Sequence, residues 1–132
     1  DEALRQLAVR QQRDAPALDV VLLGIGADGH TASLFPGGPL LDAAAASESD
    51  DGRWAAAVEV PSLSTWRLTL TPETLRHARA VLPLVSGADK HQALRRVFGE
   101  DSPVTEIPAR LLLDLPGDVA WFVDAAALFG RP

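Results

Sequence analysis

The chain has no cysteine. That excludes a disulfide scaffold, a thiolate nucleophile and a cysteine-ligated metal, and it fits a reducing compartment. Methionine is absent too, even at the start, which reads Asp1-Glu2-Ala3-Leu4-Arg5. A start of this kind points at least as well to a piece of a longer protein as to removal of an initiator residue. Positive charge is scarce: twelve Lys and Arg against eighteen Asp and Glu leave a formal net charge of -6. Neutralising a phosphate backbone needs a basic face, so nucleic acid is not the expected partner. One or two local cations can still hold a small anion. Lys90 is the only lysine among these cations, and its compact ammonium offers what an arginine does not. No apolar run approaches the roughly 18–20 residues that span a bilayer, and no signal-peptide pattern opens the chain. A cytoplasmic location is the expectation.

What is present fits one domain. The 132 residues, 47% of them apolar, suffice for a real core. Residues 1–13 carry Leu4, Leu7 and Ala8 at helical spacing, ended by Asp14-Ala15-Pro16. Leu18 to Leu23 is apolar except for Asp19 and reads as a buried parallel strand. Thr31 to Phe35 has room for one helical turn before Pro36-Gly37-Gly38-Pro39 forces a loop. A helical segment is expected over Leu40 to Ala46 and an acidic turn over Ser47 to Gly52. Ala55 to Val60 and Trp66 to Leu70 read as strands. Alternation in the second sets Arg67 and Thr69 opposite Trp66, Leu68 and Leu70. Thr71-Pro72-Glu73 is a helix start. Ala80 to Val85 is another strand, Ala88 to Phe98 and Pro103 to Leu113 helices, Val119 to Val123 a last strand, and Asp124 to Phe129 a closing helix. Strands alternating with helices predict a layered α/β fold with a mainly parallel sheet.

The densest stretch is Gly24-Ile25-Gly26-Ala27-Asp28-Gly29-His30 at the end of the first strand. Formally it matches the dinucleotide fingerprint G-x-G-x-x-G. That fingerprint also wants a full crossover helix and an acidic residue at the next strand end. Pro36 stops any helix, and Asp42 and Glu48 sit at no strand end, so nicotinamide or flavin binding is disfavoured. His30 has two readings: a loop histidine bonded to backbone, or a titrating group at a strand's carboxyl end, where open α/β sheets bind ligands. Asp28 is either a turn residue or the group that orients His30 or a water. Ser33 lacks the G-x-S-x-G context of a nucleophile. His77 and His91 read as solvated, and Trp54, Trp66 and Trp121 as core or edge residues. No His and carboxylate set has metal-ligand spacing.

Gly24 to Pro36 as a whole (GIGADGHTASLFP) resembles the signature of the 6-phosphogluconolactonases, which belong with the glucosamine-6-phosphate isomerases and deaminases. Two further blocks agree in order. One is Arg67-Leu68-Thr69-Leu70-Thr71-Pro72 followed by Val85-Ser86-Gly87-Ala88-Asp89-Lys90 and Ala93-Leu94. The other runs from Ala120 to Ala127. The resemblance implies a Rossmann-like fold and hydrolysis of 6-phospho-D-glucono-1,5-lactone to 6-phosphogluconate in the oxidative pentose phosphate pathway, with no cofactor. It implies His30 as general base and Arg67 and Lys90 as phosphate-binding cations. Members of the deaminase branch carry an acidic residue where this chain has Phe35. Isomerase or deaminase chemistry, or a non-catalytic fragment, are the alternatives. Members also have a further N-terminal half, so this chain resembles the C-terminal half, and the missing half or self-association is the expected partner.

Together these readings give His30 and Asp28 as the catalytic candidates. Gly26, Gly29, Thr31, Arg67 and Lys90 are the substrate-binding candidates. Backbone N–H groups of Gly26 and Gly29 are expected to stabilise an oxyanion.

Overall fold

The computed structural model describes residues 1–42, 52–61, 64–99 and 102–131. Two sheets organise it. The larger holds β1 (Val20–Gly24), β4 (Ala80–Val85), β5 (Asp118–Val119) and β6 (Phe122–Val123), all parallel, with β4 in the centre. The smaller is an antiparallel hairpin of β2 (Ala55–Val60) and β3 (Thr65–Leu70), in which Val58 pairs with Arg67. The helices are α1 (Glu2–Arg10), α2 (Pro72–Arg76), α3 (His91–Gly99) and α4 (Ala125–Phe129). Short 3₁₀ segments cover Ala88–Lys90 and Pro108–Asp114. This is the mixed α/β architecture with an open parallel sheet that the strand–helix alternation predicts.

Each boundary has a local cause. The Thr71 hydroxyl accepts from Thr74 N (3.3 Å) and Pro72 occupies the first turn, so α2 begins where the sequence says it does. Asp1 stands at the α1 cap position without capping it. Its carboxylate instead accepts from Trp54 N (2.7 Å) and Ala55 N (3.0 Å) and pairs with Arg5, tying α1 to the start of β2. The expected helix over Leu40 to Ala46 is seen at Leu41 and Asp42, with Leu40 in a turn; Ala43 to Ala46, and Ser47 to Asp51 of the acidic turn, lie outside the described residues.

Three expectations need correction. The last strand is split rather than continuous. The carbonyls of Val81 and Val85 accept from Ala120 N and Asp124 N, so the odd-numbered backbone groups of β4 face β5 and β6. Pro83 shares that parity and has no N–H, and pairing lapses opposite it, between Val119 and Phe122. Second, Thr31 to Phe35 forms no helical turn. Thr31 bridges to both Ile25 and Leu34, and Ala32 takes φ +51° in the tight turn between them. Third, β1 is not buried on both faces. Val21 and Leu23 are buried, but Val20 and Leu22 are 56% and 62% exposed.

The core lies on one face of the parallel sheet. Val21, Leu23, Val81 and Val85 pack there with Leu34, Leu75, Leu94, Val97, Ile107 and Leu112. The opposite face shows Val20, Leu22, Leu84 and Phe122 to solvent. In the hairpin, β2 buries Ala56, Val58 and Val60 as its pattern demands, but β3 is turned over relative to its hydrophobicity. Thr69 is buried, whereas Trp66 and Leu68 on the other face are exposed. Apolar side chains left in water forgo about 1.5–3 kcal/mol each of possible burial energy.

Candidate active site

β1, β4 and β6 run parallel, so their carboxyl ends gather at one edge of the sheet. From that edge emerge the loop Ile25–His30, the turn Ser86–Lys90 and the Asp124 start of α4. Ligand sites of open parallel sheets form at this edge.

The first loop is closed by its own backbone. His30 O accepts from Gly26 N (2.9 Å), Gly26 O accepts from Gly29 N (3.0 Å), and Gly29 O accepts from Ala109 N (2.9 Å). Inside it, Asp28 Oδ1 lies 2.6 Å from His30 Nδ1 and also accepts from His30 N at 3.0 Å. A carboxylate accepts only, so Nδ1 is assigned as the donor and Nε2 keeps its lone pair. Burial pushes the Asp28 carboxyl up, but the His30 hydrogen bonds and imidazole charge outweigh it and hold the group below the ordinary carboxylate value. The Phe35 ring lies against the imidazole, centroids 4.4 Å apart. Gly26 makes the pair possible: a Cβ there would overlap both the imidazole and Asp28 Oδ1.

This arrangement brings His30 and Asp28 together and re-assigns the glycines. The N–H groups of Gly26 and Gly29 are both spent inside the loop, so neither is free to donate to an oxyanion, contrary to expectation. Thr31 is fully buried and its hydroxyl donates to Gly24 O (3.1 Å), which fixes the loop base rather than lining an opening. Residues 30–40 after Gly29 hold only turns and isolated bridges, so no helix N-terminus stands where a dinucleotide pyrophosphate would use one.

The hairpin joins this loop through Ser33 N, which donates to Thr69 Oγ1 at 3.1 Å. Arg67 sits two residues before Thr69 on the same strand face, exposed, and with no hydrogen bond or ion pair among the described residues. Lys90 Nζ pairs with Asp89 Oδ2 at 2.9 Å and its side chain is about a quarter exposed. Phe35 also lines a cavity of about 630 Å³ whose other walls include Pro39, Glu59 and Trp66. Among the described residues no group of three His, Asp or Glu is placed to hold a metal ion, and no helix is long and apolar enough to cross a membrane.

Sequence reasoning missed two groups. Asp124 accepts from Ser86 Oγ (2.6 Å), Gly87 N (3.1 Å) and Ala127 N (2.7 Å). The Ser86 hydroxyl first, then the Ala127 amide, hold its carboxyl below the usual range. The cap signal of Asp before three alanines was legible; the link to Ser86 was not. Phe35 is visible as a departure from the deaminase pattern, but nothing in the spacing tells that it stacks on His30.

The family described as glucosamine-6-phosphate isomerases/6-phosphogluconolactonase matches residues 1–121. A 6-phosphogluconolactonase of Bos taurus is 37% identical over 112 residues, 85% of this chain and 41% of the relative. The structure of 6-phosphogluconolactonase from Trypanosoma brucei superimposes with TM-score 0.69 at 34% identity, over 86% of this chain and 42% of that one. A monomeric glucosamine-6-phosphate deaminase gives TM-score 0.67 at 25% identity, over 98% and 55%. The chain thus spans about two-fifths of the length of the lactonase relatives. With its fold and its sequence both matched, the chain belongs to the glucosamine-6-phosphate isomerase/6-phosphogluconolactonase family.

Proposed function

We propose that this chain carries the reacting part of a 6-phosphogluconolactonase, which opens 6-phospho-D-glucono-1,5-lactone to 6-phosphogluconate in the oxidative pentose phosphate pathway of the cytoplasm. The observation that carries the reading is the Asp28–His30 pair, which leaves Nε2 as the working nitrogen at the sheet's carboxyl edge. His30, neutral, takes a proton from water through Nε2 as the water oxygen bonds to the lactone carbonyl carbon. The tetrahedral centre then collapses, the bond from that carbon to the ring oxygen breaks, and His30 returns the proton to the departing ring oxygen. Asp28 keeps the imidazole in the tautomer this requires and stabilises the imidazolium between the two steps. Arg67 and Lys90 hold the phosphate by charge-assisted hydrogen bonds, Lys90 exchanging its Asp89 partner for the ligand. Phosphate binding remote from the carbonyl then supplies orientation.

The named relatives support a lactonase, and the ring of Phe35 against His30 supports it over the deaminase branch, which carries an acid there. The test is hydrolysis of the lactone above its spontaneous rate, for the wild type and for His30→Ala. Acceleration lost in the variant is expected. Turnover of glucosamine 6-phosphate instead would transfer the reading to the deaminase branch.

The partner is proposed from the open sheet face. We infer that Val20, Leu22, Leu84 and Phe122 are covered in the active enzyme by the portion of the relatives' length that this chain does not span. On that view Leu22→Asp is near neutral in these 132 residues alone and costs about 1.5–3 kcal/mol in the full polypeptide. Equal cost in both would remove the covering segment from the account.

A further inference from the structure

We propose that Asp124 is a positioning residue that sets the Ser86–Lys90 turn in its anion-binding shape; this rests on the lactonase reading and extends it to a residue with no contact to the substrate. Asp124 follows β6 directly, and its own N–H donates to Val85 O (3.0 Å), the last carbonyl of β4. Its carboxylate then reaches across. Oδ2 accepts from Ser86 Oγ and Gly87 N, and Oδ1 accepts from Ala127 N in the first turn of α4. One carboxylate therefore ties the end of the central strand to the helix that closes the chain.

The far side of the turn is tied as well. His91 Nδ1 lies 3.2 Å from Ala127 O, and its ring packs against Gly130 at the end of α4. Between these ties Gly87 takes φ +102°, and Lys90 N donates to Gly87 O at 3.1 Å. The turn that carries the lone lysine is thus shaped from outside itself. An ordinary helix cap needs one acceptor for one N–H. Asp124 also spends an oxygen on a hydroxyl and an amide 38 and 37 residues away, which a capping role does not require. With its lone pairs so committed, it has none for substrate.

The side chain that separates capping from positioning is asparagine. Its Oδ1 can still accept from Ala127 N and, at 3.2 Å, from Gly87 N, but an NH₂ in place of Oδ2 removes the charge, turns the Ser86 hydroxyl from donor to acceptor and sets donor against donor at the Gly87 N–H. In the full polypeptide, Asp124→Asn should keep the thermal midpoint of the wild type while raising KM for the lactone about tenfold and leaving kcat within about threefold, because the reacting loop is untouched. Binding of inorganic phosphate, measured by calorimetry, should weaken by the same factor. In a Lys90→Ala background the Asn substitution should add little, since both act on one contact. Asp124→Asn with unchanged KM and phosphate affinity, or additive effects in the double variant, would overturn the proposal. An enzyme that does not hydrolyse the lactone but whose phosphate binding falls with Asp124→Asn would sink the reaction and keep the positioning role. An enzyme that binds no phosphate would sink both.

Discussion

The two loops at the sheet's carboxyl edge are built in opposite ways. The His30 loop is held mainly from within: Asp28 reaches His30 two residues on, Thr31 reaches back seven residues to Gly24, and a single backbone tie, Ala109 N to Gly29 O, reaches it from far along the chain. The Lys90 turn is held from Asp124, 37 and 38 residues further along. A short segment that closes on itself can fix an imidazole's tautomer and plane with little help. Lys90, the phosphate-binding cation of the proposed function, takes its place from the packing of the C-terminal part. If the proposed roles hold, reactive geometry and binding geometry are separable in this chain, and substitutions should separate them.

The widest separation is expected between His30→Ala and Lys90→Ala. Removing the base should cost about 10²–10⁴ in kcat with KM little changed. Removing the ammonium should raise KM about 10–100-fold, the equivalent of one lost charged hydrogen bond, with kcat nearly kept. Steady-state kinetics on the full polypeptide reads both. Equal losses in kcat and KM for both variants would mean that the two loops act as one unit.

Smaller changes should split along the same line. Gly26→Ala drives a methyl into the Asp28–His30 pair, and displacing a reacting group by about 1 Å can cost roughly 10²-fold in rate. Gly87→Ala meets both a positive φ and Asp89 Oδ1 at 2.7 Å. It should instead raise KM, by less than Lys90→Ala does, because the ammonium remains and only its placement is disturbed. A Gly26→Ala enzyme with wild-type kcat would show that the loop relaxes around the methyl.

The same contrast decides what was legible. Asp28, His30 and the first strand stand within one short stretch, where an apolar run ends in glycines, so local pattern exposes them. Arg67 and Lys90 could be named as cations, but where each stands depends on pairing: Arg67 lies on the separate hairpin and Lys90 follows the central strand of the parallel sheet. The strand break at Pro83 was overlooked because its consequence falls on Ala120 and Trp121, set by register and parity rather than by nearby sequence. The exposed faces at Leu22 and Trp66 contradict a rule that apolar runs are buried. That rule holds only when something covers both faces, and pattern alone does not say what does.

The finest probe of the self-contained loop is acid. The Asp28 carboxyl is held below its ordinary value of 3.8. A depressed carboxyl stabilises the fold at pH values above its unfolded pKa, and that contribution disappears as pH falls through the folded pKa. With the Asp28 side chain 49% exposed, solvent screening limits the gain to less than about 1 kcal/mol. Asp28→Asn keeps an oxygen that can accept from His30 N but discards the charge. The variant should therefore trail the wild type slightly in denaturant midpoint at pH 7, and the gap should close as pH drops below 3.8. A gap that widened in acid would mean that burial, not the histidine, governs the carboxyl. The rate should suffer more than the stability, about tenfold, because the imidazolium of the proposed mechanism loses the carboxylate beside it. On the proposed mechanism the pair is machinery for the reaction more than a brace for the fold.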